Sequence, residues 1–194
     1  MDARRRHVHN AFFSRLAGAH TREDGLSEDR KAKLAKTNHY GELLALRDRQ
    51  REEAKRAIQV VRDEDLPQET NQQGLMRWYL HPSIRDTALQ TMIFFEQEIP
   101  PGSRTGRVKF QGGQVMMIVE GEGYTILDGV RHPWKSGDVV NIPLRADGVI
   151  VQHFNVDKAK PAKFVAAEPN WFECVTVDRG CGYEQLENAP EFTK

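Results

Sequence analysis

The sequence predicts a mainly β protein, an antiparallel sandwich or barrel, preceded by an α-helical N-terminal extension. Two observations predict it. The chain changes character near Pro67: upstream it is charged, poor in Gly and without strand alternation, whereas downstream it breaks into short β-branched and aromatic runs. Those runs recur at roughly 8–12-residue spacing with Gly, Pro and Asp between them, the pattern of an antiparallel sandwich or barrel. The expected division is a helical extension over 1–70, a barrel over 71–168, and a C-terminal segment over 169–194 packing on the barrel.

In chain order, Ser27 followed by Glu28-Asp29 reads as an N-cap with acidic residues in the first turn of a short helix. From Tyr40 to about Val61, Leu43, Leu46, Ala54, Ala57, Ile58 and Val61 fall on one stripe at helical spacing, with Glu52 and Arg56 as a favourable four-residue pair on the polar side. A helix this charged is not buried on all sides, so its stripe is expected to rest on the second half or on another subunit. Strands are predicted at 91–96, 114–119, 124–127, 138–142, 149–154 and 161–167, and Asp128-Gly129 is a hairpin signal after the third of them. Gly121 and Gly123 sit where a tight turn asks for positive φ.

Composition excludes several classes. The 28 Lys+Arg and 28 Asp+Glu cancel, so an electropositive body for nucleic acid or an anionic membrane is not expected. No run approaches the ~18 apolar residues of a membrane helix. Hydrophobic residues make up 39%, enough for one core. Arg4, Arg5 and Arg6 precede no apolar stretch, so no secretory signal is expected, and the two cysteines, Cys174 and Cys181, fit a reduced, cytoplasmic setting better than a disulfide framework. Their spacing is not that of a zinc knuckle. Ser103 has no nucleophile motif around it, and Gly121-Glu122-Gly123 is no dinucleotide fingerprint. Trp78, Trp134 and Trp171 read as core or subunit-contact residues.

The turn grammar resembles that of the cupins. Pro100-Pro101-Gly102-Ser103-Arg104-Thr105-Gly106, then Gln114 and Gly121, look like the first cupin motif; Gly137-Asp138, Pro143, Gly148 and Gln152-His153-Phe154-Asn155 look like the second. The resemblance covers about residues 75–168 and implies a single jelly-roll β-barrel. Trp78-Tyr79-Leu80-His81-Pro82 further resembles gentisate-type ring-cleaving dioxygenases of bacterial aromatic-compound breakdown. The family also implies association, as a homo-dimer or oligomer or beside a related cupin.

A catalytic cupin holds its metal with two histidines and a carboxylate from the first motif and one histidine from the second. Matched by position, this sequence has Arg107, Lys109, Gln114 and Val151 there. Guanidinium and ammonium repel a divalent cation, so no metal and no cofactor is expected. Of His7, His9, His20, His39, His81, His132 and His153, His153 alone is expected to point inside. The alternative is a displaced Fe or Mn site of His153, His81 and Glu96, with Glu120 or Gln114 in support, serving an oxygenase. Arg107 and Lys109 share a strand face, which leaves three readings. They form an anion pocket for a carboxylate or phenolate, with Gln114, His153 and Asn155 as polar contacts and Met116, Phe94 and Ile118 as walls. Alternatively, a one-residue shift turns them to solvent and leaves Phe110 inside, or Arg107 pairs with Glu96 or Glu120 in place of the metal. The expected function is a small-molecule (aromatic acid or carboxylate) binding or structural subunit, alone or paired with a metal-bearing cupin. Beside it stand the displaced-metal oxygenase and a metal-free lyase or isomerase using Lys109 as base or Schiff-base amine.

Overall fold

The computed structural model describes residues 24–172 and 182–193. Arg4, Arg5, Arg6, His7, His9, His20, Cys174 and Cys181, and the expectations attached to them, lie outside the described residues. The chain divides into two compact units between Glu52 and Glu53.

The first unit holds α1 (Asp24–Ala35) and most of α2 (His39–Arg56). Helix α1 already includes Asp24, so Ser27 falls within the helix rather than capping it. The cap that does form is at α2, where the Asn38 side-chain oxygen accepts from the Gly41 N–H at 3.0 Å. Helix α2 buries none of its residues, and Leu43 on the expected stripe is 63% exposed. It stops at Arg56 instead of near Val61 because the next segment is spent on pairing: the Ile58 N–H donates to the Asp86 carbonyl and the Ala88 N–H to the Ile58 carbonyl.

The second unit is an antiparallel two-sheet sandwich. One sheet has the order β1 (Glu69–Asn71), β2 (Gly74–Leu80), β3 (Met92–Ile99), β10 (Ala162–Pro169), β5 (Gln114–Glu120), β8 (Val139–Ile142). The other has the order β11 (Glu184–Glu187), β4 (Arg107–Phe110), β9 (Val149–Asn155), β6 (Glu122–Leu127), β7 (Val130–Lys135). The pairs β3·β10, β4·β9, β5·β8 and β6·β7 are all antiparallel neighbours. That is one long hairpin rolled over itself, the jelly-roll topology. Its tip is the Asp128-Gly129 turn, where both residues have positive φ, 48° and 84°, as a primed two-residue turn requires. Asp128 also fastens the tip to the sandwich: its carboxylate accepts from the Ile150 N–H at 2.8 Å and from Arg145 at 2.6 Å.

Burial alternates strictly on β3, β4 and β10, and on β5 as far as Val119, so every second side chain there enters the core. One apolar cluster gathers Met76, Phe95, Ile99, Met116, Ile118, Trp134 and Phe164, and a second gathers Val108, Phe110, Ile142, Val149 and Val151. Gly121 has the positive φ expected of it (85°), whereas Gly123 is required for a different reason. A Cβ there would overlap the Phe154 carbonyl and the Trp134 ring.

Candidate functional site

A polar side chain inside a β-sandwich costs free energy unless it is partnered, so the inward-facing polar positions mark the site. From the first sheet these are Gln97 on β3, Gln114 on β5 and Glu168 on β10; from the second, Thr125 on β6 and His153 and Asn155 on β9. A cavity of about 790 Å³ lies among the inner faces, with Trp78, Phe95, Val108, Phe110, Val151 and Phe164 among its walls and Gln97, Gln114, His153 and Glu168 as polar points.

His153 is held from behind. The Trp134 indole N–H donates to the Thr125 hydroxyl at 3.0 Å, and the same hydroxyl meets His153 Nδ1 at 2.8 Å. The indole only donates, and the Thr125 hydroxyl proton has no acceptor but Nδ1 among the described residues, so the arrangement that satisfies every group is the neutral imidazole with its proton on Nε2. Complete burial pushes the His153 pKa down to about 4, so the ring is neutral at pH 7. The Thr105 hydroxyl accepts from the His153 backbone N–H, and the ring rests edge-on against Phe164 with centroids 5.0 Å apart. Gly123 makes this possible, because only a residue without Cβ leaves room for the Trp134 ring.

The second polar point is Glu168. The Gln114 amide donates to Glu168 Oε2 at 2.9 Å, both residues being buried. Burial pushes the Glu168 pKa up to about 7, against the amide bond from Gln114 that lowers it. The pairing register explains the encounter: Ala167 faces Val115 across β10·β5, so Glu168 comes beside Gln114.

Of the three readings open for Arg107 and Lys109, the structure has the one in which both cations turn to solvent and Phe110 lies inside. Arg107 and Lys109 point outward, because β4 alternates polar with apolar and it is Val108 and Phe110 that enter the core. Arg107 lies 3.9 Å from Glu187 and Lys109 3.8 Å from Glu184, both acids on β11. The anion pocket built on these two cations is therefore not formed, and Lys109 has no access to the interior as a base. Nor does Arg107 pair with Glu96, which forms its 2.8 Å ion pair with Arg77 instead. Gln114 and His153 do reach the cavity. Asn155 is buried but spends its amide on the carbonyls of Ile99, Pro100 and Lys160, a bracket between two loops. Met116 and Ile118 are core residues, and Phe94 packs against Tyr79 at 5.4 Å.

The displaced metal set is not assembled either. His81 sits on the cavity wall, with Nδ1 2.7 Å from the Ser83 hydroxyl and its ring against Trp78, while Glu96 is engaged by Arg77. Among the described residues no group of three or more His, Cys, Asp or Glu is arranged to hold a metal ion. The inward residues of β4, together with Gln114 and Val151, offer three hydrocarbon side chains and one amide. Hydrocarbon binds no cation and an amide oxygen is a weak ligand, so these side chains do not fit the metal that the resemblance implies. Sequence reading missed Glu168, Thr125, Trp134 and Gln97 as parts of the site. The one local signal for Glu168 was an acid at an inward position of an alternating apolar strand.

No protein-family model matches the chain, and neither does any curated protein. Solved structures similar to it include cupin proteins, the group its turn grammar resembles. A cupin-like protein from Thermotoga maritima has 19% identity and a TM-score of 0.46 over 62% of this chain and 87% of its own. A polyketide cyclase from Streptomyces resistomycificus has 14% identity and a TM-score of 0.49 over 71% of this chain and 87% of its own. A salicylate 1,2-dioxygenase from Pseudoaminobacter salicylatoxidans, in complex with gentisate, has 16% identity and a TM-score of 0.47 over 64% of this chain and 32% of its own.

Proposed function

We propose that this cupin-type jelly roll binds a small, uncharged, mostly aromatic molecule between its sheets, and that it does so without a divalent metal. The observation that supports this reading is the cavity itself: aromatic and aliphatic walls, neutral amides, and the buried His153 imidazole, whose Nε2 has no protein hydrogen bond among the described residues. A pocket of this kind suits a planar apolar body oriented by a few directed hydrogen bonds. Among the described residues the one cation on its wall is Arg85, in the β2–β3 connection, and a carboxylate ligand would share the interior with Glu168. The neutral aromatic proposed here thus takes the place of the aromatic acid or carboxylate expected from the sequence. A role as a binding subunit in aromatic-compound breakdown, associated with itself or with a metal-bearing relative, belongs to the same proposal.

The test is calorimetric titration of the purified protein with 2-naphthol and with 2-naphthoate, alongside metal analysis and the mass of the native particle. The expected result is binding of 2-naphthol, at least tenfold weaker binding of 2-naphthoate at pH 8, and far less than one Fe, Mn, Ni, Cu or Zn per chain. A stoichiometric metal, or preference for the carboxylate, overturns the reading.

A further inference from the structure

The hydrogen-bond chemistry of the cavity differs between two places. At one, Trp134 and Thr125 direct the His153 proton onto Nε2, so this point of the wall is a donor. At the other, Gln114 occupies Glu168 Oε2, and Oε1 has no protein partner among the described residues, so this point is an acceptor. The two are set apart along β10. His153 rests against Phe164, and Phe164 and Glu168 are both inward-facing on that strand, four residues apart. At about 3.3 Å per residue this separates their backbone positions by about 13 Å. Between them the wall is apolar, with Phe95 on β3, which lies opposite Ala166 in the sheet.

We infer that the cavity reads its ligand at both ends: a fused-ring aromatic ketone carrying a hydroxyl at its far side, with the carbonyl oxygen accepting from His153 Nε2–H and the hydroxyl donating to Glu168. This rests on the reading that the barrel binds a neutral aromatic molecule. A single ring does not span the two polar points, and a ligand with a carbonyl at both ends leaves the Glu168 acceptor without a donor. A desolvated, unpaired donor or acceptor costs affinity, which turns the donor and acceptor pair into a polarity filter as well as an anchor. Glu168 supplies the acceptor as the carboxylate, in which both oxygens accept; in the acid the oxygen facing Gln114 is the carbonyl and Oε1 carries the proton, so the filter operates above the Glu168 pKa of about 7.

The experiment is a titration of the full-length protein at pH 8 with 2-acetyl-6-hydroxynaphthalene, 2-acetylnaphthalene, 2-naphthol and naphthalene, followed by naphthyl fluorescence. The expected order places the hydroxy ketone about tenfold tighter than either singly substituted compound, and those tighter than naphthalene, one hydrogen bond separating each step. Equal affinity for all four overturns the inference and leaves the binding reading standing; no binding of any of them overturns both. Two variants locate the contacts. Glu168→Leu is expected to bring the hydroxy ketone down to the affinity of 2-acetylnaphthalene, and His153→Phe to bring it down to that of 2-naphthol. The ligand series on the unaltered chain decides the matter even if either variant folds poorly, and an unchanged preference in a folded variant refutes the assigned contact.

Discussion

Replacing Glu168 by Gln tests the site through its protons, because the two buried titratable groups move in opposite directions. Burial raises Glu168 from 4.5 to about 7 and lowers His153 from 6.5 to about 4. Between roughly pH 4.5 and 6.5 the unfolded chain therefore holds a proton on His153 and none on Glu168, whereas the folded chain holds one on Glu168 and none on His153. Stability depends on pH only through the difference in bound protons, so across this window the two contributions offset each other. Each alone is worth about 3 kcal/mol, because every tenfold change in proton affinity corresponds to about 1.4 kcal/mol. The raised Glu168 makes the fold lose stability as pH rises from 4.5 to 7, and the lowered His153 makes it lose stability as pH falls from 6.5 to 4. In Glu168→Gln only the second remains, so its unfolding free energy, measured by urea titration with tryptophan fluorescence, should gain about 3 kcal/mol on the parent chain's as pH rises from 4.5 to 7.5. His153→Phe should diverge the other way, gaining on the parent as pH falls from 6.5 to 4. The amide in Glu168→Gln still accepts from Gln114, so packing is little disturbed. Stability profiles that run parallel to the parent's from pH 4 to 7.5 refute the buried pair with opposed proton affinities.

Two further outcomes follow from the geometry. Gly123→Ala drives a methyl into the Phe154 carbonyl and the Trp134 ring. It is expected to cost about 1–3 kcal/mol as an overpacked site and to weaken ketone binding in the fraction that remains folded, both read from melting and titration. Arg107→Gln with Lys109→Gln touches only outward, half-exposed side chains facing Glu187 and Glu184. Its stability should move by less than about 1 kcal/mol and its affinity for 2-naphthol by less than a factor of two; a large loss of binding would return these cations to the interior.

The sandwich was legible because its signals are short-range. β-Branched and aromatic residues mark Met92–Ile99 and Ala162–Pro169 as strands, and the Asp128-Gly129 turn that closes the rolled hairpin has a dipeptide chemistry that tolerates positive φ twice. The orientation of β4 was also there to be read. Arg107-Val108-Lys109-Phe110 alternates charged with apolar, and a strand with one buried face puts its apolar residues inside. Counting positions from a family motif pointed the cations inward instead, which is why the solvent-facing register stood as only one of three open readings. The α2 boundary was misread for the opposite reason: Ile58 continues the helical stripe, but its backbone is taken by Asp86 and Ala88, a non-local competition that periodicity does not register.

The site itself depends on register, and register is where a lone sequence is silent. Glu168 and Gln114 are 54 residues apart and meet because β10 lies against β5 with Ala167 opposite Val115. Thr125 and His153 are 28 residues apart and directly opposed across β6·β9. Trp134 joins them because β6·β7 sets Gly123 opposite Trp134, giving the indole the space a side chain would fill. A glycine that looks like turn punctuation is in this way the first member of a chain running through Trp134 and Thr125 to the proton on His153 Nε2. The chemical identity of the pocket, a donor at one end and an acceptor at the other, is consequently a property of three strand pairings rather than of any motif, and a slip of one residue in any of them would leave a different cavity.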